Sequence, residues 1–250
     1  MHEYALGFIS SPQLFQHVRA TVEKYRAVID LAAFNKNIID PIKLTFDSKI
    51  YRKSIEESVE IEVVRQLDKS NNNHIGYFHQ NIFQYFEGWQ VPPSGYDIIH
   101  RERKIYVEMK NKHNTMNSSS SQKTYMRMQS TLLQQPDAEC LLVEVIAKKS
   151  QNAPWIASLD GDSVTHPRIR RVSIDQFYQI VTGDPFAFRQ LCAVLPKVID
   201  DVIASMQTDH LVQNSVVTQL QAQEHDDLLR AIYLTSFGRY QGFDQLVWQA

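Results

Sequence analysis

Tyr96-Asp97-Ile98-Ile99-His100, Arg101-Glu102-Arg103-Lys104 and Ile105-Tyr106-Val107-Glu108-Met109-Lys110 are the consecutive pieces that decide the fold of this 250-residue chain. Two short runs rich in β-branched and aromatic residues flank a charged turn, the pattern of a hairpin. Side chains alternate along a strand, so Glu108 and Lys110 share one face while Val107 and Met109 share the other. Val107 and Met109 are apolar and suit a core; Asp97, Glu108 and Lys110 form a polar face on two adjacent strands.

Outward from the hairpin, Trp89-Gln90-Val91 and the turn cluster Pro92-Pro93-Ser94-Gly95 precede it. Downstream, Asn111–Ser120 reads as a polar loop and Ser121–Gln134 as a helix stopped by Pro136. Glu139–Lys148 is an apolar run of strand length, suited to the middle of a sheet. Trp155–Leu159 and Arg168–Val172 are expected as two further strands around an Asp160-Gly161 turn. Ser173 is the expected N-cap of a helix over Ile174–Val181 that Thr182-Gly183 ends. Towards the N-terminus, residues 12–39 carry apolar residues near a 3.6 period. A second helix is expected from Ser54 to about Asp68, with Glu57 in the capping-box position. DKSNNN (68–73) is expected to break it, and Tyr77–Phe86 to follow as a short aromatic-rich helix closed by Gly88.

The implied fold is α/β, a mixed central sheet flanked by helices, with helical N- and C-terminal additions. One domain is expected, with residues 1–53 a helical N-terminal part, 54–183 the α/β core and 184–250 a helical C-terminal part. No stretch approaches the roughly 18 apolar residues of a membrane span, and the N-terminus lacks a secretory pattern, so a cytoplasmic location without membrane contact is expected. Cys140 and Cys192 are expected as small buried hydrophobes.

The formal net charge of −2 excludes a chain that is basic all over. Its distribution is uneven: residues 101–130 carry a net +5 and residues 197–250 a net −4. Such segregation points to a polyanion held on one face. Two carboxylates on adjacent strands suit a divalent cation such as Mg2+, which takes hard oxygen ligands and retains waters. A lysine two residues away can orient or deprotonate a metal-bound water, which is the equipment of phosphodiester hydrolysis. Nine histidines include no HExxH and no zinc-ligand spacing. Phe78, Phe83, Tyr85, Phe86 and Trp89 read as core, with base stacking the alternative.

Pro92-Pro93-Ser94-Gly95-Tyr96-Asp97 followed by Val107-Glu108-Met109-Lys110 resembles the PD-(D/E)XK nucleases. More closely, YVEMKNKHNTMNSSSSQKTYMRMQ (106–129), DKSNNNHIGYFHQNIFQYFEGW (68–89) and LCAVLPKVIDDVI (191–203) resemble the small family of type II restriction endonucleases that cut GGNCC-type sites. The resemblance spans about residues 50–205, and Tyr96 rather than proline directly precedes Asp97. It implies Asp97 and Glu108 as Mg2+ ligands and Lys110 as the water-activating lysine. It also implies a further carboxylate on the preceding helix, where Glu56, Glu57 and Glu60 compete and Glu60 is favoured. The implied activity is a sequence-specific double-strand break in DNA leaving 5′-phosphates. The implied partners are a second copy of the chain and, genetically, a protecting DNA methyltransferase.

Lys112, Asn114, Asn117, Ser118, Ser119, Ser120, Gln122, Lys123 and Arg127 are the expected DNA contacts, because amides, hydroxyls and basic groups at a loop-to-helix junction suit phosphates and base edges. Arg168, Arg170 and Arg171 are further basic candidates. Leu211, Val216, Leu220, Leu228 and Leu229 are candidates for a dimer contact. Two rival readings are a nuclease of repair or recombination with the same core, and a non-catalytic DNA-binding module.

Overall fold

The computed structural model describes residues 3–206, 216–223 and 227–237 of the chain. The helices are α1 (Ser11–Val22), α2 (Leu31–Lys36), α3 (Pro41–Tyr51), α4 (Ile55–Asn81), α5 (Ser118–Gln134), α6 (Ile174–Thr182), α7 (Ala187–Ser205), α8 (Val216–Gln223) and α9 (Leu228–Phe237). The strands are β1 (Trp89–Gln90), β2 (Ile98–His100), β3 (Ile105–Lys112), β4 (Glu139–Ile146), β5 (Asn152–Pro154), β6 (Ala157–Leu159), β7 (Asp162–Val164) and β8 (Ile169–Ser173). They fall into two compact units, one of residues 1–23 and 74–206, the other of 24–73 and 207–250.

The first unit is built on the hairpin that the alternation predicts. β2 pairs antiparallel with β3, Ile98 opposite Val107, across a turn in which the Lys104 N–H donates to the Arg101 carbonyl at 3.1 Å. Six strands join in the order β1-β2-β3-β4-β8-β5, with β3, β4 and β8 mutually parallel. A parallel neighbour needs a crossover, and α5 supplies it between β3 and β4. One face of the sheet, with Ile98, Ile105, Val107, Met109, Leu141, Val143 and Val172, is buried against α1, α6, α7 and the aromatic stretch after α4. Phe78, Phe83, Phe86 and Trp89 belong to that core. The opposite face meets Tyr125, Met128 and Leu132 of α5. Gly88, at a φ of +77°, enters β1 under the His100 ring, where a Cβ would lie 2.5 Å from Nε2. Only glycine fits there.

Several element expectations are corrected. Asp160-Gly161, both at positive φ, form a two-residue hairpin turn, but they join β6 to β7. So short a loop can pair only its immediate flanks, and the arginine-rich strand β8 joins the large sheet beside β4. Helix α5 starts at Ser118 rather than Ser121, because the Asn117 side chain caps it by accepting from the Ser120 N–H at 2.8 Å. Cys140 is buried, but Cys192 is exposed.

The second unit is helical. Val59 and Val63 of α4 pack with Phe34, Leu44, Val216, Leu220, Leu228 and Ile232. Val216, Leu220 and Leu228, candidates for a dimer contact, are buried in this core, and Leu211 lies outside the described residues. The continuous helix expected over 12–39 is divided. α1 ends at Val22, and α2 starts afresh where Asp30 accepts from the Ala33 N–H at 2.7 Å. α3 follows, with Asp40 as its cap and Pro41 in the first turn. DKSNNN does not break α4. The Asn71 side chain exchanges two 2.9 Å hydrogen bonds with the Arg26 backbone, and the Asn72 amide donates to Asp68 at 2.9 Å, so the polar side chains are satisfied without leaving the helix. Among the described residues, no helix is long and apolar enough to cross a membrane.

Candidate active site

Asp97 stands just before β2, and its Oδ2 accepts the Met109 N–H at 2.7 Å, which fastens the carboxylate to β3. Burial holds the Asp97 pKa above the ordinary carboxylate range; the Met109 N–H works against this and the Glu108 charge adds to it. Glu108 and Lys110 project from β3 on the α5 side of the sheet, as the alternation requires. Glu108 is nearly buried: its Oε1 accepts from Lys110 Nζ at 2.7 Å, and its Oε2 accepts from Arg127 Nη2. Two cations on one carboxylate offset the cost of enclosing its charge.

Arg127 was expected on DNA; the structure seats it on Glu108. It reaches from the third turn of α5, with its guanidinium 4.4 Å from the centre of the Tyr96 ring and its Nη1 donating to the Gly95 carbonyl at 3.2 Å. Its Nε is buried without a partner. The turn before the hairpin and the crossover helix are thereby tied to the same carboxylate. No sequence spacing announces this contact, which depends on how α5 crosses the sheet.

The remaining candidates are spread more widely. Lys112, Asn114, Ser118, Ser119, Ser120 and Lys123 are exposed at the end of β3, in the loop and on the first turns of α5, and Gln122 is half-buried. The Asn117 side chain is engaged as the helix cap. Glu57 closes a capping box with Ser54, its carboxylate accepting the Ser54 N–H at 2.8 Å. Glu56 and Glu60 are exposed on the part of α4 that belongs to the helical unit.

One group escaped sequence reasoning. Glu144 of β4 is fully buried on the same face as Lys110, to which it is directly opposite in register. Arg171 of β8 and His113, just past β3, both bond to it. The signal was present in ECLLVEVI (139–146), where Glu144 shares parity with Cys140 and Leu142, but its partners follow only from the parallel pairing.

The donor set fits Mg2+, since Asp97, just before β2, and Glu108, on β3, both offer hard carboxylate oxygens. Among the described residues no three His, Cys, Asp or Glu side chains converge. Two protein carboxylates suit a cation that keeps several waters and takes substrate phosphate oxygens, and suit zinc poorly.

Comparison with known proteins bears directly on this arrangement. A family model described as Eco47II restriction endonuclease matches residues 6–204. The type II restriction enzyme Sau96I of Staphylococcus aureus is 35% identical over 211 residues, which cover 79% of this chain and 81% of that protein. The type II restriction enzyme Eco47II of Escherichia coli is 31% identical over 212 residues, 80% of this chain and 88% of that one.

Proposed function

The chain belongs to the Eco47II restriction endonuclease family and is a type II restriction enzyme, and from that premise we propose that it makes Mg2+-dependent double-strand breaks at a short GGNCC-like palindrome. The family match sets aside the repair nuclease and the non-catalytic module. What carries the mechanistic reading is one observation: Asp97 is fastened to β3 through the Met109 N–H, beside the Glu108–Lys110 pair.

Asp97 and Glu108 would hold the cation through their carboxylates. The bound ion supplies charge stabilisation at the phosphate and a more acidic water. Lys110, fixed on Glu108, orients the attacking water in line with the bond to be broken. The P–O3′ bond breaks, leaving a 5′-phosphate and a 3′-hydroxyl. Arg127 sets the position of Glu108 from the side of α5. Lys112, Asn114, Ser118, Ser119, Ser120, Gln122 and Lys123 follow the active strand and supply the nearest polar and basic surface for a duplex, with helix N–H groups at the start of α5 assisting. A two-fold target is matched by a homodimer. A cytoplasmic location and a neighbouring methyltransferase gene complete the reading, because an unprotected genome would be cut.

Plasmid DNA incubated with the protein and Mg2+ tests this, with the fragment ends sequenced. Discrete fragments ending at one repeated motif are expected, and a chelator should abolish them. Random nicks would overturn the site-specific reading. Unimpaired cleavage by Lys110→Ala would overturn the assigned site.

A further inference from the structure

The Glu144 group adjoins the Asp97–Glu108–Lys110 site, with Glu144 opposite Lys110 in register, and has no part in the chemistry assigned there. Glu144 has 0% exposure in the middle of the sheet. Its Oε1 accepts from Arg171 Nε at 2.9 Å and from Arg171 Nη2, and its Oε2 accepts from His113 Nδ1 at 3.0 Å. Arg171 Nη2 also donates to the His113 carbonyl at 3.2 Å. Burying a carboxylate and a guanidinium costs more than burying apolar residues of the same size, so such a group is a poor device for stability alone.

What it achieves is position. Four bonds, three of them to Glu144, fix the Arg171 fork and the His113 ring. Among the described residues, Arg171 Nη1 and His113 Nε2 then have no protein partner. Both side chains keep about a quarter of their surface exposed, 23% and 25%. Arg171 is the middle residue of β8, level with Leu142 and Glu108, and His113 directly follows β3, so both approach Glu144, the register partner of Lys110. A guanidinium whose inner edge is held by a carboxylate and whose outer nitrogen is free is preorganised for an anion.

We propose that Arg171 and His113, held by the positioning residue Glu144, form a second phosphate-binding site that takes a DNA backbone phosphate other than the one hydrolysed. The inference rests on the reading of the neighbouring residues as the DNA-cleaving site, and extends the DNA-contacting surface from the β3–α5 junction to β8. Arg171 contributes the charge and His113 Nε2 a further hydrogen-bonding atom, so the site reads backbone position and not base identity.

Duplex binding without cleavage tests it. The probe is a short duplex carrying the cut motif, measured by fluorescence anisotropy in Ca2+ over a range of salt. The double variant Glu144→Leu/Arg171→Met removes both buried charges together, which preserves folding better than removing one; its denaturation midpoint is measured alongside. Its affinity should fall about tenfold, with the slope of log affinity against log salt smaller by about one. Duplexes with a single neutral methylphosphonate locate the contact: one position that weakens wild-type binding should leave the double variant unaffected. A folded double variant with wild-type affinity, salt slope and methylphosphonate profile overturns the proposal. Should the double variant not fold, Arg171→Lys keeps the charge and loses the fork. Several-fold weaker binding supports the site, and unchanged binding overturns it. Normal cleavage by Lys110→Ala would instead defeat the underlying active-site reading, an outcome that duplex binding by the Arg171 variants does not mimic.

Discussion

The two faces of the six-stranded sheet carry the same strands and opposite chemistry. On one, Ile105, Val107 and Met109 of β3, Leu141 and Val143 of β4 and Val172 of β8 are all buried in an apolar core. On the other, Tyr106, Cys140 and Ile169 are apolar at the strand beginnings, Glu108 and Arg171 flank Leu142 at the next level, and Lys110 and Glu144 pair beyond it. Because β3, β4 and β8 are parallel, those polar residues gather from mid-strand towards the carboxyl ends. That is the side on which open parallel sheets place ligands. The covered face supplies the rigidity that lets this polar edge hold three carboxylates, a lysine and two arginines at fixed separations.

The difference predicts that substitutions on the two faces fail in different ways. Glu108→Gln and Lys110→Ala should each reduce single-turnover cleavage by roughly 10^3-fold or more, while duplex binding in Ca2+ changes only a few-fold. Equal losses of cutting and binding would mean that the edge acts chiefly in binding, and the contrast between the faces would lose its catalytic side.

The covered side carries its own polar exposure to failure. His17 and His79 lie in the helical layer over the apolar face, His17 with its ring 2.9 Å from the Phe78 carbonyl. Burial lowers both pKa values to about 4, opposed at His17 by the Phe78 carbonyl and reinforced at His79 by the His17 charge. The folded state therefore keeps both rings neutral where the unfolded chain protonates them. Stability is complete above about pH 6.5 and is lost as pH falls towards about 4, by up to about 3 kcal/mol per ring. His17→Gln retains a donor for the carbonyl and should flatten that decline; urea midpoints measured from pH 7 to pH 4 read it directly. A smaller effect comes from the sheet itself. Val143→Ala, deep in the apolar face, should cost about 2 kcal/mol of unfolding free energy, while cleavage per folded molecule stays near wild type.

The hairpin and its polar face were legible because strand parity is local: Asp97, Glu108 and Lys110 need only the alternation to be placed. The aromatic core was legible for the same reason, as was the cap at Ser54 and Glu57. Arg127 on Glu108 and Arg171 on Glu144 were not, because each bond joins residues from elements whose neighbourhood is set by a crossover. DKSNNN misled by composition. Isolated, those residues favour a loop, but the bonds of Asn71 to the Arg26 backbone make helix the better state. The Asp160-Gly161 turn was read correctly as a turn and assigned the wrong partner, since turn chemistry fixes a loop's shape and leaves the distant strand to the sheet.

The finest test of the contrast between the faces lies at Asp97. An active edge that holds like charges together carries a cost in stability, whereas the apolar face carries none. Burial and the Glu108 charge both disfavour ionised Asp97, and the Met109 N–H, Lys110 and Arg127 do not cancel them. Asp97→Asn keeps an oxygen to accept the Met109 N–H and removes the charge. The midpoint of urea unfolding should therefore rise, corresponding to about 0.5 kcal/mol of unfolding free energy because Asp97 is only partly buried, while cleavage is lost. Inactivity accompanied by a lower midpoint would show instead that the ionised carboxylate is a structural tie between β2 and β3, and the edge would then owe its stability to the charges it was thought to hold at a cost.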